Sequence, residues 1–166
     1  MTTIDVQGSK LFVIPVPSTP FADCTEAVTA LKAGAEVICP LTLGEMSRTR
    51  PITELGCISS DETLKVAGKL SYGDFTTEML LDETDVAGQK VLYDAMNDNT
   101  PIIIGIESPD MDDTLGTTDG NGTVVWTECL VSGDTISYPD GSKVGYSVTL
   151  SPFNGFNRCS SVASTS

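Results

Sequence analysis

Histidine is absent from the 166-residue sequence, and lysine and arginine together number only nine against 23 aspartates and glutamates. Histidine is the commonest general base and transition-metal ligand, so its absence argues against catalysis and against a metal site. The net charge of −14 argues against binding to the nucleic-acid backbone, which requires clustered basic side chains. Nucleophile elbows, glycine-rich phosphate loops and CxxC pairs are also missing. The sequence therefore predicts a protein without enzymatic activity, cofactor or metal.

Long hydrophobic runs are missing as well. The longest, LFVIPV and PIIIGI, are too short to cross a bilayer. The opening MTTIDVQGSK lacks both the basic and the apolar region of a signal peptide, so we expect synthesis in a cytoplasm and no membrane insertion. The five widely spaced cysteines favour free and mostly buried thiols, with a disulfide formed after cell lysis as the alternative.

The length and the hydrophobic content of 40% indicate a single globular domain over residues 1–166. We expect a polar N-terminal arm at about residues 1–9 and a frayed tail of small polar residues at about 158–166. Most of the chain between them has the pattern of short strands and turns.

Strand patterns recur along the chain. Residues 10–16 predict a strand, and residues 35–46 predict a second that is broken or bent at Pro40. The stretch KLSYGDFTTEMLLD alternates, with Asp74 and Glu78 on a polar face that looks at water. PIIIGIES is nearly all apolar and predicts a strand covered on both faces. GTVVWTECLVSG and SKVGYSVTLSPF predict two more strands, joined by the tight turn YPDGS.

Three segments are less regular. Residues 17–34 are compatible with a short helix ended by Gly34 or with an irregular loop. DMDDTLGTTDGNG, within residues 109–122, offers oxygen ligands to calcium but departs from the EF-hand spacing, so a solvated hairpin loop is the better interpretation. Residues 44–68 show no sustained period and predict a long loop, which in a compact domain is usually functional or partly disordered. Isolated apolar side chains give this loop something to bury against a partner: Met46, Ile52, Leu55 and Ile58.

One amphipathic helix is predicted at about residues 85–97. Asp85 is a suitable N-cap, and the helix ends at NDNTP, where Asn97 or Asn99 can adopt a left-handed conformation. Gln89 falls on the polar side of the helix. The spacing i, i+3, i+4, i+7, i+8 draws one apolar stripe that is expected to pack on a sheet: Gly88, Val91, Leu92, Ala95 and Met96.

The order of these elements is strand, long loop, strand, single helix, apolar strand and hairpin. A strand with a phenylalanine leads through acidic residues into the helix DVAGQKVLYDAMND, and NGTVVWTECLVSG and KVGYSVTLSPFNGF close the order as a hairpin. Over about residues 36–156 this order resembles the major tail tube protein of long-tailed bacteriophages. The resemblance implies a mainly β fold of the α+β type, a β-sandwich or partial barrel flanked by the one helix.

The resemblance also implies an assembly. Six copies would form a ring, and the rings would stack into a hollow tail tube around a tape-measure protein, between a baseplate initiator and a tail terminator. The protein would then be part of the virion and be assembled in the cytoplasm of the bacterial host. The loop 44–68 would reach neighbouring subunits and the next ring, with Arg48, Arg50, Ile52, Leu55 and Ile58 as the candidate contacts.

An acidic lumen would repel DNA, which passes through the tube during ejection without specific binding. We expect Asp74 and Glu78 to line that lumen, while Val91, Leu92 and Met96 hold the helix as a buttress against a barrel strand. The alternatives are another structural protein of the virion, for head–tail joining or capsid decoration, and a carbohydrate- or calcium-binding β-sandwich module.

Overall fold

The structure, a computed structural model, describes residues 8–85, 87–109 and 122–159. Within these ranges lie eleven strands and two α-helices. In chain order they are β1 (Lys10–Pro15), α1 (Cys24–Ala33), β2 (Ala35–Glu36), β3 (Pro40–Thr42), β4 (Arg48–Thr49), β5 (Ile52–Gly56), β6 (Thr63–Ala67), β7 (Ser71–Tyr72), β8 (Phe75–Leu80), α2 (Gln89–Asp98), β9 (Ile102–Glu107), β10 (Val124–Ser137) and β11 (Gly145–Cys159).

Seven of the strands form one antiparallel sheet in the order β2-β1-β9-β10-β11-β8-β3. Its two edge strands, β2 and β3, are consecutive in the chain and are joined only by residues 37–39. Four Cα–Cα steps reach at most about 14 Å, so the two edges must lie close together. The sheet therefore curls into a half-barrel, and the prediction of a mainly β, partial-barrel fold is confirmed. The strand predicted over 35–46 is broken at residues 37–39, just before the expected position at Pro40, because the chain leaves one edge of the sheet there and joins the other.

The inner face of the half-barrel carries the larger core. Alternate side chains of β1 and β9 point into it, and α2 covers them with Leu92 and Ala95. Strands β8, β10 and β11 and Val37 of the β2–β3 linker supply the rest of this cluster. Its most deeply buried members are Leu11, Val13, Val37, Met79, Leu92, Ile102, Ile104, Cys129, Val148 and Leu150. Each such aliphatic side chain contributes about 1.5–3 kcal/mol to folding as an upper value.

The opposite face of β1 and β9 is covered too, by α1. Phe12, Ile14 and Ile103 point to this side and pack with Leu31 of the helix. A Cβ at Gly105 would lie 2.9 Å from a Leu31 methyl group, so this glycine lets α1 approach β9 closely. Residues 24–33 are thus helical, one of the two alternatives for that segment. The sheet is thus flanked by two helices and not by the single helix expected. Helix α1 has only two buried residues, so its apolar stripe is too short to stand out in the sequence.

The predicted helix begins later than expected. Helix α2 starts at Gln89, with Gly88 as its N-cap, and ends at Asn99 in the predicted left-handed conformation. Asp85 does not cap the helix directly. Its carboxylate accepts hydrogen bonds from the backbone N–H of Ile38 (2.9 Å) and of Gly88 (2.7 Å), which ties the turn before α2 to the linker between β2 and β3.

Residues 44–68, predicted as a long loop, contain regular strands. The segment contains β4, which pairs with β7, and the hairpin β5–β6. Its period of two was hidden because Ile52 and Leu55 lie on opposite faces of β5, and so no single face is apolar along the whole segment.

The cysteine prediction also needs correction. Cys24 and Cys159 form a disulfide that joins the start of α1 to the end of β11. Of the three free cysteines, only Cys129 is buried, whereas Cys39 and Cys57 are exposed. The cysteines that pair are 135 residues apart, so only the fold brings them together.

Several predictions concern segments that lie mostly outside the described residues: the N-terminal arm at 1–9, the acidic loop at 109–122 and the tail at 158–166. Strand β11 itself continues through Cys159. In the described ranges, no helix combines the length and the apolar character needed to cross a membrane.

Candidate assembly surfaces

The segment 48–72, which we call the arm, contains two strands that are exposed along their whole length. Its outer part is the hairpin β5–β6, in which Leu55 lies opposite Leu64 and Glu54 lies opposite Lys65. One face of this hairpin carries Leu55, Leu64 and Val66, which we call the apolar face of the arm. The other face carries an exposed ion pair between Lys65 Nζ and Glu54 Oε1 at 3.3 Å.

No residue of β5 or β6 is buried in the protomer. Leu55 and Leu64 are 50% and 57% exposed, and Ile58 at the hairpin turn is fully exposed. An isolated two-stranded hairpin is marginally stable in water, and exposed apolar patches usually mark interaction sites. The arm therefore has the properties of an element that is completed by a partner.

The base of the arm is better fixed than its tip. Thr49 Oγ1 and Ser71 Oγ share one hydrogen bond of 3.0 Å across β4 and β7. The ring of Tyr72 packs edge-on against Phe156 of β11, with 5.3 Å between the ring centroids. Arg48 and Arg50 lie at this base, are exposed, and make no ion pair with any described residue. The base of the arm thus carries two positive charges that no described residue pairs with.

A second surface is the outer face of β8 and β11. Phe75, Thr77 and Met79 point inward from β8, so Asp74 and Glu78 point outward with Thr76, as their alternation predicts. Asp74 Oδ1 accepts a hydrogen bond from Ser151 Oγ at 2.7 Å, and Glu78 Oε2 accepts one from Thr42 Oγ1 at 3.5 Å. Each of the two carboxylates therefore accepts a hydrogen bond from a neighbouring hydroxyl group.

The hydroxyls of this face were not singled out in the sequence. Thr76 and Thr149 are in register across β8 and β11, and their Oγ1 atoms lie 3.2 Å apart. Ser147 and Ser151 extend the row along β11. The alternation YSVTLS was the available signal, because its buried residues Tyr146, Val148 and Leu150 leave the small polar ones outside. The result is a face of serine, threonine and carboxylates, which we call the polar face.

Helix α2 anchors one side of the half-barrel. Leu92 is fully buried, and Val91 and Met96 are half-buried against the same core cluster. Gln89, expected on the polar side of the helix, is instead buried. Its Nε2 donates to the carbonyl oxygen of Leu80 at 2.6 Å, and its Oε1 accepts from the N–H of Asp82 at 3.0 Å. These bonds join α2 to the end of β8.

Reactive chemistry is not evident in the described part of the chain. Burial raises the pKa of the Cys129 thiol to about 12, so this side chain is not a nucleophile at neutral pH. No cluster of three or more cysteines or carboxylates is arranged to hold a metal within residues 8–85, 87–109 and 122–159.

No protein-family model matches the chain, and no curated protein matches it in sequence. Solved structures do match it in fold. A chain of the anti-feeding prophage baseplate, in a 6-fold symmetrised structure, superposes with a TM-score of 0.63 over 96% of this chain and 98% of its own, at 10% identity. The SPP1 tail tube protein superposes with a TM-score of 0.61 over 96% of this chain and 81% of its own, at 14% identity.

A third similar structure is a chain from the tail of an empty GTA particle with C6 symmetry. Its TM-score is 0.53, over 74% of this chain and 84% of its own, at 9% identity. The protein therefore has the fold of phage tail tube and baseplate proteins, which confirms the resemblance seen in the sequence at the level of fold.

Proposed function

We propose that the chain is a structural subunit of the tail tube of a long-tailed bacteriophage and that it assembles into stacked hexameric rings. The observation that carries the proposal is the exposed arm on a half-barrel with the tail tube fold. A tube subunit must offer apolar surface to its neighbours, and this arm offers apolar side chains that the protomer leaves uncovered. The sixfold symmetry of two proteins of similar fold supports rings of six.

The arm is the proposed contact between subunits. Ile52, Leu55 and Ile58 are each at least half exposed, and burying them against a neighbour would contribute apolar area that the protomer does not bury. Arg48 and Arg50 beside them would meet the acidic surface of other copies, because the rest of the chain is strongly negative.

The polar face is the proposed lining of the lumen. Asp74 and Glu78 would repel the phosphates of passing DNA, while the neighbouring hydroxyls keep the wall wetted without binding the backbone tightly. Because the repulsion between exposed charges is screened over about 8 Å at physiological salt, it would act mainly on DNA close to the wall. Helix α2, with Val91, Leu92 and Met96, would hold the barrel strands in place.

The proposed partners and the proposed site of assembly follow from the role as a tube subunit. The tube would enclose a tape-measure protein, begin at a baseplate initiator and end at a terminator, and it would be assembled in the host cytoplasm before becoming part of the virion. Cytosolic thiols are kept reduced, so we expect the Cys24–Cys159 disulfide to close after lysis. No catalytic step is assigned to the protein.

Negative-stain microscopy of the purified protein tests the proposal. We expect long hollow tubes whose end views show sixfold rings. Discrete rings or trimers that never stack would favour a head–tail joining or decoration role, and a monomer at all concentrations would refute a tube role.

The lumen assignment has its own test in assembled phage. Asp74→Lys with Glu78→Lys should leave the tubes intact but slow DNA ejection, because the wall would then attract phosphates. The matched control, Asp98→Lys with Asp140→Lys, makes the same charge change at two exposed sites off the polar face. Equal ejection rates for the two pairs would contradict the assignment.

A further inference from the structure

We propose that the arm of one copy docks into a groove of a second copy, between α2 and the hairpin β10–β11. The inference rests on the proposed self-assembly and names the surface that receives the arm. That surface, which we call the α2 groove, has a volume of about 410 Å³, within the range of pockets that take up a ligand.

The floor of the α2 groove is apolar and exposed. Leu81, Tyr93 and Ile136 line it and are 37%, 49% and 42% exposed, although large apolar side chains are usually covered. Tyr146 closes the bottom, with its hydroxyl donating to Asp134 Oδ2 at 3.3 Å. The groove is therefore a concave apolar surface of the kind that would fit the apolar face of the arm.

The rim of the α2 groove is acidic. Asp82 and Glu83 lie on it, and hydrogen bonds from the hydroxyl and the backbone N–H of Thr84 lower the pKa of Asp82. Asp82 is therefore ionised at neutral pH. Lys90, the basic residue that also lines the groove, is already bound to Asp94 at 2.6 Å. Neither Asp82 nor Glu83 forms an ion pair with a described residue.

The arm has the complementary charge. Residues 48–72 contain four of the nine basic and three of the 23 acidic side chains, so the arm has a net charge of +1 while the rest of the chain has −15. Lys65 and Glu54 pair with each other, so Arg48, Arg50 and Lys69 are its basic residues without an ion pair to a described residue. Asp61 and Glu62, at the turn of the hairpin, are its unpaired acidic residues. Opposite potentials favour the docking of one copy on another and fix its orientation. The occupant that this charge distribution selects is a second copy of the chain.

Two competing arrangements fit less well. A second open groove, beside Val16, Val91 and Pro101, has one acidic residue, Asp94, whose carboxylate is occupied by Lys90. Pairing of two arms through their apolar faces would leave the acidic rim of the α2 groove without a basic partner. Because the arm and the α2 groove are different surfaces, the contact is head-to-tail and each copy both gives an arm and receives one.

Disulfide cross-linking tests the geometry directly. In a chain with Cys39→Ser and Cys57→Ser, we combine Leu64→Cys on the arm with Ile136→Cys in the α2 groove and oxidise the assembled protein. We expect a ladder of covalent multimers on non-reducing gels, since a head-to-tail contact continues from copy to copy. Covalent dimers from Leu64→Cys alone would overturn the proposal in favour of arm–arm pairing, and so would the absence of a ladder from assembled tubes.

Charge reversal tests the recognition. Arg48→Glu with Arg50→Glu, or Asp82→Arg with Glu83→Arg, should each raise the protein concentration needed for assembly by at least about tenfold, and combining all four should restore most of the loss. Arg158→Glu is the matched control at the far end of β11, and circular dichroism verifies folding of every variant.

Failure of this inference is distinguishable from failure of the proposed function. If the wild-type chain forms tubes but the four reversals do not restore assembly and no ladder forms, the α2 groove is not the receptor and the tube role stands. If the wild-type chain forms discrete rings but no tubes, the tube role is refuted and the cross-link in those rings decides the docking. If the wild-type chain stays a monomer at all concentrations, both are refuted.

Discussion

Two leucine-to-alanine substitutions should separate folding from assembly. Leu92 on α2 is fully buried in the half-barrel core, whereas Leu64 on the arm is 57% exposed. The chemical change is identical at the two sites, so any difference in outcome comes from the environment of the side chain. Leu92→Ala should destabilise the protomer, and Leu64→Ala should leave the protomer unchanged but weaken its assembly.

The magnitudes follow from burial. Truncating a buried leucine removes its transfer free energy and leaves a cavity, a cost of about 2–5 kcal/mol. For a chain of this length each 1 kcal/mol shifts the melting temperature by about 2–4 °C, so a loss of 3 kcal/mol lowers it by about 6–12 °C. Exposed substitutions usually change the free energy of unfolding by less than about 0.5 kcal/mol, so Leu64→Ala should melt within about 2 °C of wild type.

Two measurements on each variant check this reasoning. Thermal or urea unfolding of dilute, unassembled protein gives the stability of the protomer, and sedimentation across a concentration series gives the threshold for assembly. If Leu64→Ala lowers the melting temperature as much as Leu92→Ala, the arm packs on its own protomer. If Leu64→Ala assembles at the wild-type threshold, the apolar face of the arm is not an interface.

Three further predictions concern the cysteines and the turn before α2. Alkylation of the native, non-reduced protomer should modify Cys39 and Cys57 but not Cys129, because burial raises the pKa of the Cys129 thiol to about 12; mass spectrometry showing a third adduct would contradict its burial. Reducing the disulfide should lower the free energy of unfolding by up to about 5 kcal/mol, since it closes a loop of 135 residues; guanidinium titrations that coincide with and without reductant would refute this. Asp85→Ala should cost about 1–3 kcal/mol in the same titration, because the N–H groups of Ile38 and Gly88 lose their acceptor, and an unchanged midpoint would argue against that bridge.

Local periodicity accounts for what could be predicted from the sequence. Three local patterns extend over six to ten residues each: the apolar stripe of α2 that contains Leu92, the nearly continuous apolar run of β9 and the alternation of β8. A side chain on a regular element points to the same side as its neighbours at i+2 or i+4, so such patterns predict burial without knowledge of distant contacts. The order of these elements was enough to suggest the tail tube fold.

Other features depend on residues far apart in the chain. Gln89 looks solvated on its helix, and only the end of β8 and the β2–β3 linker supply its buried hydrogen-bond partners. The hairpin in the arm is more local, but it requires the pairing of 52–56 with 63–67, which the pattern of either strand alone does not indicate.

The sequence by itself determined that the chain is mainly β, acidic and without catalytic histidine, and that one amphipathic helix packs on its sheet. Only the tertiary structure decided that the two sheet edges meet, that α1 and α2 cover opposite faces of β1 and β9, and that Cys24 pairs with Cys159. The tertiary structure also shows that the arm is not covered by the rest of the protomer, which has a strongly negative net charge. The physical reason is that composition and periodicity are local properties of the chain, whereas closure of the sheet, pairing of distant side chains and complementarity of surfaces depend on contacts between residues that are far apart in sequence.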